Sequence, residues 1–209
     1  LVAALDEPKV AATLAREAAG LRQRALEADE ALANMMKAAQ YQHLAGASPD
    51  ALATLDASAA LAPAGSLGSL RIRLARAAIK RSSGDLPGAH ADLEAAAQLA
   101  RRIGHAGPLA TALLALAGVR SLQGDWPGAQ RALDEAKGFG DIGLNARVIL
   151  GEAQVARRRG EHTQALTLLE SAVGGLRQVG AWEEIADALI LAGEIHLEVG
   201  RWREAVAEY

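Results

Sequence analysis

The chain has 209 residues, 51% of them hydrophobic, 3% aromatic and 22% charged, with a formal net charge of -3. Ala (50) and Leu (31) dominate the apolar share while Val, Ile and Thr together number 22, which disfavours a strand-rich fold and is far too apolar for a disordered polymer. The absence of Cys excludes disulfides, thiolate metal sites and a Cys nucleophile, and the mild acidity excludes wholesale counterion-release binding to nucleic acid.

At the start of the chain Asp6, Glu7, Pro8 and Lys9 interrupt any apolar stretch of a signal peptide, and no initiator Met is present. The segment is expected to be part of a longer cytoplasmic protein. In chain order, periodicity and turn residues predict a helix near residues 8 to 23, then helix pairs at about 27 to 45 and 49 to 61, and at 68 to 83 and 87 to 103. Further pairs follow at 109 to 123 and 127 to 138, at 143 to 159 and 163 to 178, and at 182 to 199 with a last helix from 203 onward. The longest charge-free apolar stretch, Ala106 to Val119, spans 14 residues, short of the roughly 20 a membrane helix needs.

Self-similarity is the informative feature. Gly46, Gly84, Gly124, Gly160 and Gly200 end successive apolar helical stretches at spacings of 38, 40, 36 and 40 residues. Five residues after each stands Ala51, Ala89, Ala129, Ala165 or Ala205, and nine after come Leu55, Leu93, Leu133 and Leu169. Seven before each is a small residue, Ala39, Ala77, Ala117, Ala153 or Gly193, and twelve after come Ser58, Ala96, Ala136 and Ala172. A partial copy runs from Asp6 to Leu14. Each unit therefore reads as two antiparallel helices, with the glycine supplying the positive φ that ends the first and Pro8, Pro87 or Pro127 opening the second. The small columns mark close helix crossings, and the leucines fill the space beside them.

These columns resemble the tetratricopeptide repeats: a small residue in mid helix A, Gly at the turn, Trp126 or Trp202 two residues later, then Ala, Leu and Ala on helix B. The resemblance implies an all-α, right-handed superhelical solenoid of antiparallel helix pairs covering residues 1–209 as one domain. Its expected partition is a partial repeat at 1–26, repeats at about 27–66, 67–106, 107–142 and 143–181, and a truncated one at 182–209. The chain departs from the family in its longer period, against the usual 34, in keeping the repeat-end Pro only at Pro63, and in lacking Trp or Tyr in the large columns of helix A. Such long repeats are similar to the sensor arms of large bacterial signal-transduction ATPases and transcription activators, including the maltose-activator type.

Chemistry is sparse by comparison. Gly138-Phe139-Gly140-Asp141-Ile142-Gly143 matches the dinucleotide fingerprint formally, but it follows a helical run instead of a strand. His43, His90, His105, His162 and His196 sit in different repeats without helical zinc spacing. Asp134-Glu135 and Glu183-Glu184 diverge around their helices by about 100° and read as solvated faces. No catalytic, cofactor-binding or metal-ligating residue is indicated, and the chain is not expected to be an enzyme.

What the resemblance adds is a concave groove lined by helix A. Its columns fall here on Arg71, Arg81, Arg147, Arg157 and Arg158, with Asp187, Glu194 and Glu198 in the last repeat, and on an apolar ladder of Met36, Leu74, Leu114, Leu150 and Ile190. Core packing would equally explain the ladder, and a solvated face or interaction with a helix C-terminal dipole would explain the arginines. The expected function is binding of a protein, peptide, helix or small effector in that groove, without nucleic acid, membrane or cofactor. The alternative is a self-association scaffold forming dimers or higher oligomers.

Overall fold

The computed structural model describes the backbone of residues 7–139 and 141–201, and the side chains of residues 24–139 and 141–201. Every regular element among them is helical: α1 (Glu7–Leu44), α2 (Ser48–Ser58), α3 (Leu67–Ser82), α4 (Leu86–Ile103), α5 (Ala106–Leu122), α6 (Trp126–Lys137), α7 (Ile142–Arg158), α8 (His162–Val179) and α9 (Trp182–Glu198). They form two compact units, Leu1–Ile79 and Lys80–Tyr209, with the boundary inside α3. Trp202, Ala205 and the helix expected from 203 onward lie outside the described residues.

The first element differs from the sequence expectation. Instead of ending near 23 and restarting at 27, α1 continues unbroken for 38 residues. The reason is local: Leu21 to Glu30 contains neither Gly nor Pro, and Ala, Leu, Arg, Gln and Glu all favour helix. Nothing there stops propagation.

Elsewhere the punctuation acts as its chemistry predicts. All five turn glycines have positive φ, between 75° at Gly200 and 84° at Gly84, a region that costs an L-residue roughly 1–2 kcal/mol. After Gly84 and Gly124 the chain repeats the tetrapeptide Asp-x-Pro-Gly. The Asp85 carboxylate accepts the Gly88 N–H at 2.9 Å, and Asp125 accepts the Gly128 N–H at 2.9 Å, the N-cap bond that satisfies an orphan helix donor. Pro87 and Pro127 occupy the first turn, where a missing N–H is harmless. Pro49 does the same in α2.

The small columns are buried as the crossing model requires. Ala51, Ala89, Ala129 and Ala165 are each 0% exposed. Ala39, Ala77, Ala117, Ala153 and Gly193 are buried too, as are Leu55, Leu93, Leu133, Leu169, Ser58, Ala96, Ala136 and Ala172. In the first unit Ala39, Ala51 and Leu55 join Leu32, Ala62, Ile72 and Ile79 in one core, with α1 against α2. In the second, α5 packs on α4 and α6, α7 on α6 and α8, and α8 on α9, while α5–α7 and α7–α9 contacts run between first helices of successive pairs. That last set creates a continuous face from α5 through α7 to α9.

Candidate functional site

The expected groove residues fall in both units. In the first, Met36 on α1 and Arg71 on α3 line a shallow cavity of about 350 Å³ together with Asp29, Leu32, Leu67 and Gly68. Met36 also packs against the apolar core, and Leu74 is half-buried.

In the second unit the ladder is neither wholly core nor wholly solvated. Leu114 and Leu150 are half-buried, and Ile190 is 45% exposed. Leu150 rests on the core of α7, α8 and α9. Leu114 reaches α7 beside Gly151, whose missing side chain leaves its Cδ2 3.7 Å from where a Cβ would stand. The α5–α7–α9 face therefore carries a half-covered apolar strip.

Beside that strip lies a cavity of about 520 Å³ lined by Arg81, Gln154, Arg157, Arg158, Leu191 and Glu198. Four of the expected groove residues meet here. Two of the arginines expected to line the groove, Arg157 and Arg147, are bound to acids. Arg157 donates from Nη1 to Glu194 at 2.5 Å, from Nη2 to Glu198 at 2.6 Å and from Nε to Glu198 at 3.1 Å. The hydrogen bond to Glu198, then the one to Glu194, holds the Arg157 guanidinium more firmly protonated. The same bond keeps the Glu198 carboxyl below the usual carboxylate range. Arg147 donates to Glu184 at 2.8 Å, and Glu184 is likewise lowered, first by a backbone hydrogen bond of its own and then by Arg147. Asp187 is exposed and makes no ion pair among the described residues. Arg81 and Arg158 are exposed and make none either.

Two further acids expected to be plain solvated faces are engaged. Glu184 is one. The other is Glu135, which receives two parallel bonds from Arg101, each 2.8 Å, and is thereby held below the ordinary carboxylate range. Buried pairing goes further: Lys80 Nζ meets Asp92 at 2.7 Å with side chains 17% and 9% exposed, and Arg120 bonds both Glu94 and the Gly128 carbonyl. A sequence signal for several of these existed. Arg147–Glu184, Arg157–Glu194 and Arg157–Glu198 lie 37, 37 and 41 residues apart, close to one repeat, so opposite charges in equivalent positions mark them.

The described residues of the formal dinucleotide motif lack the strand that a phosphate-binding turn follows. α6 precedes it, and the N-terminus of α7 is already capped by the Asp141 carboxylate, which accepts the Leu144 N–H at 2.9 Å. Gly140 lies outside the described residues. The histidines are dispersed: His43 bonds the Ser48 hydroxyl at 2.9 Å, His90 the Gln123 amide oxygen at 3.1 Å, and His162 lies 3.6 Å from Glu198. His105 is the exposed N-cap of α5, and His196 is half-buried on α9. Among the described residues no cluster of His, Asp and Glu could hold a metal ion, and no helix is long and apolar enough to cross a membrane.

No family model matches the chain, and no curated protein does. Solved structures do. A Rap protein complexed with Competence and Sporulation Factor superposes with a TM-score of 0.70 at 11% identity, over 84% of this chain and 51% of that one. The chain thus spans about half the length of that Rap protein. BtubC (BKLC) from P. vanneervenii superposes with a TM-score of 0.62 at 14% identity, over 90% of this chain and 87% of that one. A tetratricopeptide repeat protein from Parabacteroides merdae aligns over 86% of this chain and 91% of that one at 15% identity, but its TM-score of 0.29 carries no weight. Identities this low establish likeness of fold alone: the described residues form an all-helical arrangement of antiparallel helix pairs that superposes on the Rap and BtubC structures.

Proposed function

We propose that the chain is a non-catalytic interaction module that binds a peptide, a partner helix or a small effector on the face running from α5 through α7 to α9. The observation that carries this reading is the half-covered strip of Leu114, Leu150 and Ile190 beside the Arg-lined cavity. Apolar side chains left 45% exposed, as Ile190 is, gain stabilisation when a partner removes them from water. Preformed helices lose little entropy in doing so, and the flanking charges set orientation and encounter rate. The fold likeness to a Rap protein solved in complex with a factor supports the same reading. On it, the chain is a segment of a larger bacterial regulator, similar to the sensor arms of the maltose-activator type. The Met36, Arg71 and Leu74 positions would be the equivalent face of the first unit.

The test is panning of a displayed peptide library against the chain, followed by affinity measurement on an Ile190→Asp variant. Enriched peptides should bind the variant at least about tenfold more weakly, a loss of about 1.4 kcal/mol, with unchanged helical circular dichroism. Undiminished binding overturns the assignment of this face. A second reading, self-association, draws on a different observation: Ile142, Val179 and Trp182 are 58%, 47% and 71% exposed at the ends of α7, α8 and α9. Val179 lies beside Gly143 and Trp182 beside Gly180. Dimers or higher oligomers through these side chains would appear in concentration-dependent light scattering, and a monomer at high concentration removes that reading.

A further inference from the structure

α1 is much longer than the helix set against it. Its 38 residues span roughly 57 Å, while the 11 residues of α2 span roughly 16 Å. The covered part of α1 is its C-terminal end, where Leu32 and Ala39 are buried in the core of the first unit and Met35 is half-buried. Upstream of Asp29, which edges the shallow cavity of that unit, the described side chains change character: Arg24, Ala25, Leu26 and Glu27 are exposed, Leu26 by 65%. The sequence pattern that fills the core nevertheless continues. Counting back from Ala39 in alternating steps of four and three gives Met35, Leu32, Ala28, Ala25, Leu21, Ala18, Leu14 and Ala11, apolar at every position. The opposite column, Lys37, Glu30, Gln23, Arg16 and Lys9, is polar at every position. Such a seven-residue repeat is the pattern of a coiled-coil seam. A helix takes most of its stability from packing, and Gly20 inside this one costs about 1 kcal/mol of propensity, so the seam calls for a second helix.

We infer that residues 7–31 of α1 are a homodimer interface, closed by the same segment of a second copy running antiparallel. Side-chain size, charge and length each select that occupant. Set antiparallel, the seam places Leu21 opposite the partner's Ala18, Leu14 opposite the partner's Ala25 and Ala11 opposite the partner's Ala28, so every leucine fills the space over an alanine. A parallel pair would stack Leu14 on Leu14 and Ala18 on Ala18, alternately crowded and hollow, which close packing disfavours. Glu17 and Arg24 flank the seam on one side, one heptad apart. In the antiparallel register Glu17 meets the partner's Arg24, and twofold symmetry makes that contact twice. Glu7, where α1 begins, comes level with Leu32, where the covered part begins. The second helix therefore ends before it reaches α2, whereas a parallel one would continue past Leu32 into the space α2 holds. This surface is separate from the α5–α7–α9 face and from the exposed ends of α7, α8 and α9, so it stands apart from the binding proposed there.

The experiment is sedimentation velocity of the whole chain over a wide range of concentration, which should show a monomer–dimer equilibrium. Leu14→Asp/Leu21→Asp should be monomeric throughout while keeping most of its helical circular dichroism. Glu17→Arg and Arg24→Glu should each weaken dimerisation about tenfold, since each turns two attractions into two repulsions, and together they should restore it. Residues seven apart do not meet on one helix, so that rescue reports contact between chains. Because the chain contains no Cys, introduced thiols report the orientation. An equimolar mixture of Ala11→Cys and Ala28→Cys should oxidise to crosslinks between the two variants, and crosslinks within each variant alone overturn the antiparallel assignment. The inference falls if the chain stays monomeric at high concentration, if Leu14→Asp/Leu21→Asp dimerises as the wild type does, or if the double charge variant dimerises no more tightly than the single ones. A dimer kept in Leu14→Asp/Leu21→Asp and lost in Trp182→Asp belongs to the helix ends of the second unit and sinks it as well.

Discussion

The contact between Leu133 on α6 and Gly151 on α7 offers a quantitative test of the close-crossing geometry. Leu133 is 0% exposed, and a Cβ built on Gly151 would stand 2.9 Å from its Cδ2, too close for either side to remain in place. Leu133→Ala should cost about 2–5 kcal/mol, the range for buried leucine truncations. Gly151→Ala alone gains about 1 kcal/mol of helix propensity but must displace the buried end of the Leu133 side chain, so it should be neutral or destabilising. In the Leu133→Ala background that obstruction is gone, and the same Gly151→Ala change should stabilise by about 1 kcal/mol. The double-mutant cycle should therefore give a coupling of at least about 1 kcal/mol, within the range for residues in contact. Urea unfolding followed by far-ultraviolet circular dichroism measures all four corners, provided the slopes remain equal. An effect of Gly151→Ala that is identical in both backgrounds refutes the crossing.

Three further outcomes are expected. Ala129→Glu places a carboxylate where exposure is 0% and should destabilise more than Leu133→Ala in the same urea assay, because a buried charge has no partner there. Asp125→Ala removes the cap on the Gly128 N–H and should cost about 0.5–2 kcal/mol, whereas Asp125→Asn should largely preserve it; equal losses in the two variants would contradict the cap. Glu135 is held below the ordinary carboxylate range by its hydrogen bonds from Arg101, so the pair's contribution is fully present above the unfolded value of about 4.3 and fades as pH falls through the lower folded value. That contribution should stay under about 1 kcal/mol since both side chains are over two-fifths exposed; carboxyl NMR titration should show Glu135 moving upward in Arg101→Gln.

How much could be read from the chain itself depended on the range of the interaction that decides each feature. The hairpins were legible because their determinants are local and recur: a glycine at positive φ, an Asp or Pro just after it, and a small residue at each crossing. The break expected between residues 23 and 27 failed for the converse reason. Fitting a repeat boundary there took periodicity as evidence where no stop signal stood, and helix formers carried α1 straight through. At the site, Arg81, Arg157, Arg158 and Glu198 line one cavity, and the pairing of Arg157 with Glu194 and Glu198 was not read from the chain. Cations in a last helical turn have a sufficient local explanation in the dipole, and that explanation hid partners lying on another repeat.

The repeat period also sorts the cations by availability. A residue one period downstream lies in the equivalent position of the next first-helix, so an arginine is neutralised where an acid stands about 37 to 41 residues later, as Arg147 and Arg157 are. Arg81 has Gly118, Val119, Arg120, Ser121 and Leu122 in that window, and no carboxylate among them. Arg158 has Glu198 at 40, but that carboxylate is already taken by Arg157. Two guanidiniums are thus left facing the cavity by register rather than by accident of rotamer. Moving an acid into register, as Leu122→Glu would, should pair Arg81 within the array. The spacing of the repeats thereby decides which cations the array neutralises and which it leaves exposed.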